Sequence, residues 1–374
     1  MRTVIPVENN EPLGAVRGFL KQLLEADVVD ALLVPMETPA GTITPALVTD
    51  PDLLDVANPL APVMGLNAAR VTGHVSVREP RGRIGAVLRP CELRALVELV
   101  KLQQVNLDDL VTIGVDCLGT YDVPVYTAMH GKDGVDMTPL LEAAQSGELV
   151  AEDEILLRDA CQMCEKPHVE KADVVLELFG ADLATGVPVT LTDEVASLLA
   201  EKMELSPAEG DGQRDTVVEK IVASRTQVRD ARFEKIRQQL DQEGIEGVLA
   251  ACVRCHNCMT VCPICYCKTC LFKSPVFDHE PAQYMNWAHR KGAYRLPADT
   301  MLFHLTRLNH MVLSCIGCGM CTSACPADLP VTQVFRAIGQ QVQEVFEYVP
   351  GQSVEDPLPL VTFREDEWME VGEE

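Results

Sequence analysis

The distribution of cysteines constrains this chain more than any other feature. Seven of its fifteen fall inside one short stretch, ACVRCHNCMTVCPICYCKTC, from Ala251 to Cys270. The first four stand as C-x2-C-x2-C-x3-C-P at Cys252, Cys255, Cys258, Cys262 and Pro263, and the same run returns at Cys315, Cys318, Cys321, Cys325 and Pro326. Three thiolates at two-residue intervals wrap one iron–sulfur cube, while a fourth followed by proline turns away and typically ligates the other cluster of a pair. Two such runs therefore predict two [4Fe–4S] clusters. Zinc sites usually use two separated C-x2-C pairs, so zinc and disulfides stand as the alternatives.

At 374 residues and 47% hydrophobic content, the chain has the length and composition of a soluble globular protein with two or three domains. Acidic residues outnumber basic ones 56 to 31, for a net charge of -25, which disfavours nucleic acid and anionic membrane surfaces as partners. The opening MRTVIPVENNEPLG has neither a basic nor an apolar leader region. No run of roughly eighteen apolar residues occurs, so direct membrane insertion is not expected. The expected compartment is the cytoplasm, where cysteines serve metal or cluster ligation rather than disulfides.

Along the chain, Ala15–Asp27 carries Val16, Phe19, Leu20, Leu23 and Leu24 at helical spacing, and Asp30–Met36 reads as a short buried strand. Ala69–Val77 reads as extended and Arg83–Pro90 as a further strand. Cys91–Leu102 follows as a helix with Leu93, Leu96, Val97 and Val100 on one face, and Leu110–Cys117 as another strand. This strand–helix–strand order is a βαβ unit with parallel strands. It places Cys91 and Cys117 at the carboxyl edge of the sheet, where open α/β sheets bind ligands, and Cys91 at a helix N-terminus that favours a thiolate or an anionic cluster.

A further pair, Cys161 and Cys164 in RDACQMCEKP, brings this set to four and predicts a third [4Fe–4S] cluster in the α/β part. Zinc, or buried structural thiols at Cys91 and Cys117, are the alternatives. Ser206–Asp215 is rich in loop residues and marks a boundary, followed by a charged helical segment. Between the two cysteine runs, ADTMLFHLTRLNHMV reads as an amphipathic helix with Met301, Leu305, Leu308 and Val312 on one face. The length of that insert predicts an all-α cluster domain rather than a β-rich ferredoxin. His304 and His310 are read as surface or capping groups. Cys265, Cys267 and Cys270 are one thiol short of a cube, which leaves three readings open: plain thiols, another metal, or a fourth cluster completed by an outside ligand. The end of the chain, with Glu365, Asp366, Glu367, Glu370, Glu373 and Glu374, reads as a solvated acidic tail. Neither G-x-G-x-x-G nor G-x-x-x-x-G-K-[ST] is present, nor is H-E-x-x-H or G-x-S-x-G.

LRPCELRALVEL around Cys91, GVDCLGT around Cys117, RDACQMCEKP, and CPICYCKTC from Cys262 together resemble the beta subunits of coenzyme F420-dependent hydrogenases and formate dehydrogenases. The resemblance implies an N-terminal domain holding FAD and a [4Fe–4S] cluster on Cys91, Cys117, Cys161 and Cys164. The C-terminal part is similar to the α-helical ferredoxin domains of heterodisulfide reductase and of succinate dehydrogenase iron–sulfur subunits. That likeness implies crosswise ligation, with Cys252, Cys255, Cys258 and Cys325 on one cluster and Cys315, Cys318, Cys321 and Cys262 on the other.

The expected layout is an α/β FAD and [4Fe–4S] domain over 1–205, a helical linker over 206–245, an α-helical dicluster ferredoxin domain over 246–345 and an acidic tail over 346–374. The expected role is an electron-transfer subunit between a catalytic formate dehydrogenase or hydrogenase subunit and either a soluble carrier (coenzyme F420, NAD or ferredoxin) or heterodisulfide-reductase-like subunits. The alternative is a flavin-free iron–sulfur relay. Replacing Cys161 with Ser should remove about four irons and leave the other two clusters spectroscopically intact, whereas loss of every cluster signal, or of none, would contradict the separate α/β cluster.

Overall fold

The computed structural model describes residues 1–77, 82–130, 135–148, 157–200, 202, 206–210, 212–292, 298–359 and 361. Its N-terminal half is built on a seven-stranded mixed sheet of β1 (Arg2–Pro6), β2 (Ala31–Glu37), β3 (Ile43–Val48), β4 (Ile84–Leu88), β5 (Leu110–Val115), β6 (Val174–Leu176) and β7 (Gly186–Leu191). The spatial order is β1-β7-β6-β5-β4-β2-β3. Strands β2, β4, β5 and β6 run parallel in the middle, and antiparallel strands close both sides. Strand β4, IGAVL, is buried throughout, as expected for a parallel strand covered on both faces.

Helices α1 (Pro12–Glu25), α2 (Ala69–Ser76), α3 (Pro90–Lys101), α4 (Val123–Met129), α5 (Thr138–Ser146), α6 (Asp159–Gln162) and α7 (Asp193–Ala200) accompany the sheet. The βαβ unit is present as β4–α3–β5, with Ile84 opposite Leu110 in a parallel ladder. Its helix starts where local chemistry dictates. Pro90 opens the first turn, and the Glu92 carboxylate accepts from the Arg89 backbone N–H at 2.9 Å.

The stretch Ala69–Val77, expected to be extended, is instead the helix α2. Its 3.6-residue period is carried by small residues, with Ala69, Thr72, Gly73 and Ser76 forming the buried face. No large apolar stripe marks it as a helix, and its start is fixed by polar groups. The Glu92 carboxylate accepts the Ala68 N–H at 2.8 Å, and the Asn67 side chain accepts that of Ala69.

From Gln213 onward the regular elements of the described residues are helices: α8 (Gln213–Val248), α9 (Asn257–Thr260), α10 (Pro281–Lys291), α11 (Ala298–Met311), α12 (Met320–Ser323) and α13 (Val331–Val345), with short 3-10 turns before α10. One apolar core runs through both halves, joining Leu93, Leu96 and Val175 to Phe233, Ile264, Val334 and Phe335. Among the described residues no helix is long and apolar enough to cross a membrane.

The chain after α13 returns to the sheet domain. Arg94 donates to the Pro350 carbonyl at 2.9 Å, and the fully buried Glu98 accepts from the Tyr348 hydroxyl at 2.6 Å and the Gly351 N–H at 2.8 Å. Lys101 completes this knot at 2.8 Å from the Tyr348 hydroxyl. Glu365, Asp366, Glu367, Glu370, Glu373 and Glu374, read as a solvated tail, lie outside the described residues. Glu98→Ala leaves the Tyr348 hydroxyl and the Gly351 N–H without their acceptor and the buried Lys101 without its counter-charge, so urea unfolding should show a loss of about 3 kcal/mol. A loss below about 0.5 kcal/mol would show that Glu98 does not hold this segment.

Candidate iron–sulfur site

Cys91 sits in the first turn of α3, Cys117 just beyond β5, Cys161 in α6 and Cys164 directly after it. All four line one cavity at the carboxyl edge of the parallel strands. Asp116 holds this edge together. Its buried carboxylate accepts the Val169 N–H at 2.8 Å and the Leu178 N–H at 3.1 Å, and pairs with Arg214 at 2.9 Å. The Cys117 N–H donates to the Pro167 carbonyl at 2.8 Å, so the loop carrying Cys164 is fastened beside β5.

Burial pushes the Cys91 thiol well above its ordinary range and Cys117 up to about 11. Cys161 behaves differently. Burial works against its ionisation, but the Arg158 guanidinium and the Thr120 hydroxyl outweigh it and hold the thiol below its usual value.

In the helical half the thiols fall into two groups, and each draws on both cysteine runs. Cys252 and Cys258 have Cys255 and Cys325 as electrostatic neighbours. Cys318 and Cys321 have Cys315 and Cys262. The two groups are built by the same backbone device. Arg254 and His256 in the first run, and Gly317 and Gly319 in the second, occupy equivalent positions between cysteines, and all four have positive φ, from 58° to 76°. Left-handed residues between successive cysteines curl the chain tightly through each run. Glycine adopts this conformation freely, whereas Arg254 and His256 do so at a cost of about 1–2 kcal/mol each.

The residues that sequence reasoning missed are mostly cations. Arg307, 4% exposed, reaches the Cys258 carbonyl at 3.1 Å and has Cys258, Cys262, Cys321 and Cys265 as neighbours, so it stands between the two groups. Among the described residues its Nε and Nη1 have no hydrogen-bond partner. Arg158, equally buried, spans the junction with the α/β cavity. It donates to Thr120 Oγ1 at 2.8 Å, to Cys161 Sγ at 3.8 Å and to the Cys318 carbonyl at 3.4 Å. Arg336 pairs with Glu165 between Cys164 and Cys315. No local sequence signal marks these arginines as neighbours of thiols distant in the chain.

His304 corrects an expectation. It is not a surface group but a buried one, 2% exposed, with Nε2 3.3 Å from Cys252 Sγ. Burial, with Arg307 and His256 nearby, pushes its pKa down to about 4, so the neutral ring can donate Nε2–H to the sulfur. His310 is exposed, as expected.

The donor set suits clusters. A cube held by four thiolates is an anion that needs buried cations and N–H donors, and unpaired guanidinium N–H groups stand beside these thiols. Among the described residues no three His, Cys, Asp or Glu side chains converge closely enough to hold a single metal ion. Fold and site together define an iron–sulfur electron-transfer protein.

Residues 248–329 match the 4Fe-4S dicluster domain family. The chain is 26% identical to the F420-dependent formate dehydrogenase subunit beta of Methanocaldococcus jannaschii, over 92% of this chain and 93% of that one. It is 27% identical to the F420-dependent formate dehydrogenase 1 subunit beta of Methanococcus maripaludis, over 95% and 94%. A chain of the F420-reducing [NiFe] hydrogenase complex from Methanosarcina barkeri, solved in a xenon derivative, is 12% identical, covering 63% of this chain and 92% of that one at a TM-score of 0.45. The resemblance to F420-dependent beta subunits thus extends over nearly the whole length of the chain.

Gly319 offers a test of how the halves meet, because a Cβ there would lie 2.2 Å from the Ala160 Cβ. Gly319→Ala should cost about 2–3 kcal/mol in thermal unfolding, and adding Ala160→Gly should recover all but about 1 kcal/mol, the left-handed backbone term. A double variant no more stable than the single would show that the contact with α6 is not the cause.

Proposed function

We propose that the chain is the electron-transfer beta subunit of a formate dehydrogenase or hydrogenase complex. In this reading it carries electrons between the catalytic subunit and a soluble carrier (coenzyme F420, NAD or ferredoxin) or a heterodisulfide-reductase-like module. One observation carries the reading: the three thiol groups stand in series. Cys91 has Cys318 of the second group as a neighbour across the domain junction, and the second group meets the first through Arg307. We assign one [4Fe–4S] cluster to Cys91, Cys117, Cys161 and Cys164, one to Cys315, Cys318, Cys321 and Cys262, and one to Cys252, Cys255, Cys258 and Cys325. The chain's own residues hold the thiolates, exclude water and supply the compensating charge.

FAD is the finer part of the proposal. A cavity of about 390 Å³ beside α3 is floored by Leu93, Leu96 and Val97, rimmed by Arg94 and His168, and closed by the segment Gly351–Val354. It shares Pro90 and Lys166 with the cavity of Cys91. Apolar walls beside α3, with Lys166 and Lys171 as well as Glu170 and Asp173 on the opposite side, suit a flat ring system that carries polar substituents. A bound flavin supplies the exchange between two-electron hydride chemistry and the one-electron clusters.

Anaerobic reconstitution should yield about twelve irons and matching acid-labile sulfide per chain, with flavin near one. Val97→Trp, which fills the cavity, should abolish flavin binding and spare the iron. Full iron without flavin in the parent chain would leave the flavin-free relay. Stoichiometric zinc without sulfide would overturn both readings.

A further inference from the structure

We infer that the lobe formed by Leu271–Gly292, together with the loop Cys252–Cys270, is the docking face for an acidic electron-transfer protein that exchanges electrons with the cluster proposed on Cys252, Cys255, Cys258 and Cys325. The inference rests on that cluster assignment and goes beyond it by specifying where electrons leave and to what kind of surface. Three observations carry it.

The first is burial. Not one residue from Leu271 to Gly292 is buried, and α10 buries none of its side chains. Yet the segment is rich in apolar and aromatic groups. Leu271, Val276 and Met285 each expose more than half of their surface, as does Val253 on the adjoining loop. Trp287 packs edge-on to Tyr284 at 5.5 Å and to His279 at 5.0 Å without reaching the core. Partly exposed Trp, Tyr and Met side chains are characteristic of interface centres.

The second is charge. On a chain with net charge -25, this stretch carries Arg254, Lys268, Lys273, Arg290 and Lys291 against Asp278 and Glu280. Lys268, Lys273, Arg290 and Lys291 are exposed and make no ion pair among the described residues. A basic island on an acidic molecule steers an acidic partner to one place and repels it elsewhere.

The third is proximity to a redox centre. Cys255 is exposed at this face, and the lobe is tied directly to the cluster loop. Arg254 pairs with Asp299 and donates to the Tyr284 hydroxyl at 2.6 Å, while the His256 ring lies 4.4 Å from Phe303, which in turn meets Phe272 at 5.1 Å. Arg254 and His256 are the two non-glycine residues held in the left-handed region inside the cysteine run. The strain they carry is the cost of making the lobe and the cluster loop one unit.

The test uses the full, anaerobically reconstituted protein, reduced with dithionite. Its reoxidation is followed with three probes: an acidic plant-type ferredoxin, basic cytochrome c and the small dye benzyl viologen. For the parent, the ferredoxin rate should fall about tenfold or more between roughly 50 mM and 500 mM salt. Lys268→Glu combined with Lys273→Glu should lower the ferredoxin rate at low salt by a similar factor, on the order of tenfold, while the rates with cytochrome c and benzyl viologen do not fall. Neutral replacements, Lys268→Gln with Lys273→Gln, should fall between.

A ferredoxin rate indifferent to both charge variants overturns the docking face. So does a parallel fall with all three probes at unchanged iron content, because that locates the effect inside the protein. A dimer of the parent chain that dissociates on the same substitutions overturns it in favour of self-association. Failure of the parent to exchange electrons even with benzyl viologen rejects the electron-transfer reading itself, which separates the two failures.

Discussion

Everything in the C-terminal half, and the way it meets the sheet, depends on keeping anionic sulfur inside a protein. A thiolate removed from water needs either a proton or a cation, and at most of these cysteines burial favours the proton. The fold answers with guanidinium groups taken out of solvent alongside the thiols. Arg158 stands where the α/β cavity meets Cys318, and Arg307 where the two C-terminal groups meet. Each would be costly to bury alone, and each is raised above its ordinary pKa because the charges it faces outweigh the loss of water. The junction at Arg158 is therefore also a place where the two halves are fastened together.

That coupling explains why the sheet domain and the helical domain share one core. Arg158 belongs to the loop before α6 but bonds Ser323 and the Cys318 carbonyl, and Arg336 on α13 reaches back to Glu165 and the Met163 carbonyl. The C-terminal segment repeats the tactic with Glu98, an acid buried in α3 whose Oε1 is held by Tyr348, Gly351 and Lys101. Most of the polar contacts across the seam are partly buried and involve an arginine, which suits a junction whose two sides must keep a fixed relative placement.

How much of this was legible in the sequence follows from the range of each interaction. The βαβ unit around Cys91 is local, its period written in Leu93, Leu96 and the strand residues on either side, and the reading located β4, α3 and β5 within a residue or two. The helix α2 was not legible, because its buried face is Ala69, Thr72, Gly73 and Ser76 and its N-terminus is secured by Glu92 from a later helix. His304 was misplaced for the same reason: its partner is Cys252, far away in the chain. The spacing of the cysteines announced clusters, and nothing nearby announced Arg307 or Arg158. Ligand spacing is a short-range pattern, whereas charge compensation is assembled only by the fold.

The two cysteine runs, identical in spacing, differ at the positions that decide their surroundings. Where the second run has Gly319, the backbone lies so close to Ala160 of the sheet domain that no side chain fits, and Gly317 lies against the Arg336 side chain of α13, so that group is closed in by protein. Where the first run has Arg254 and His256, side chains project instead and hold the exposed aromatic lobe. The two loops, alike in cysteine spacing, thereby differ in surroundings, one closed by glycine against protein and the other carrying the strained Arg254 and His256 toward the exposed lobe. The asymmetry lies in residues that ligate nothing, and it sets which end of the series faces inward and which faces a partner.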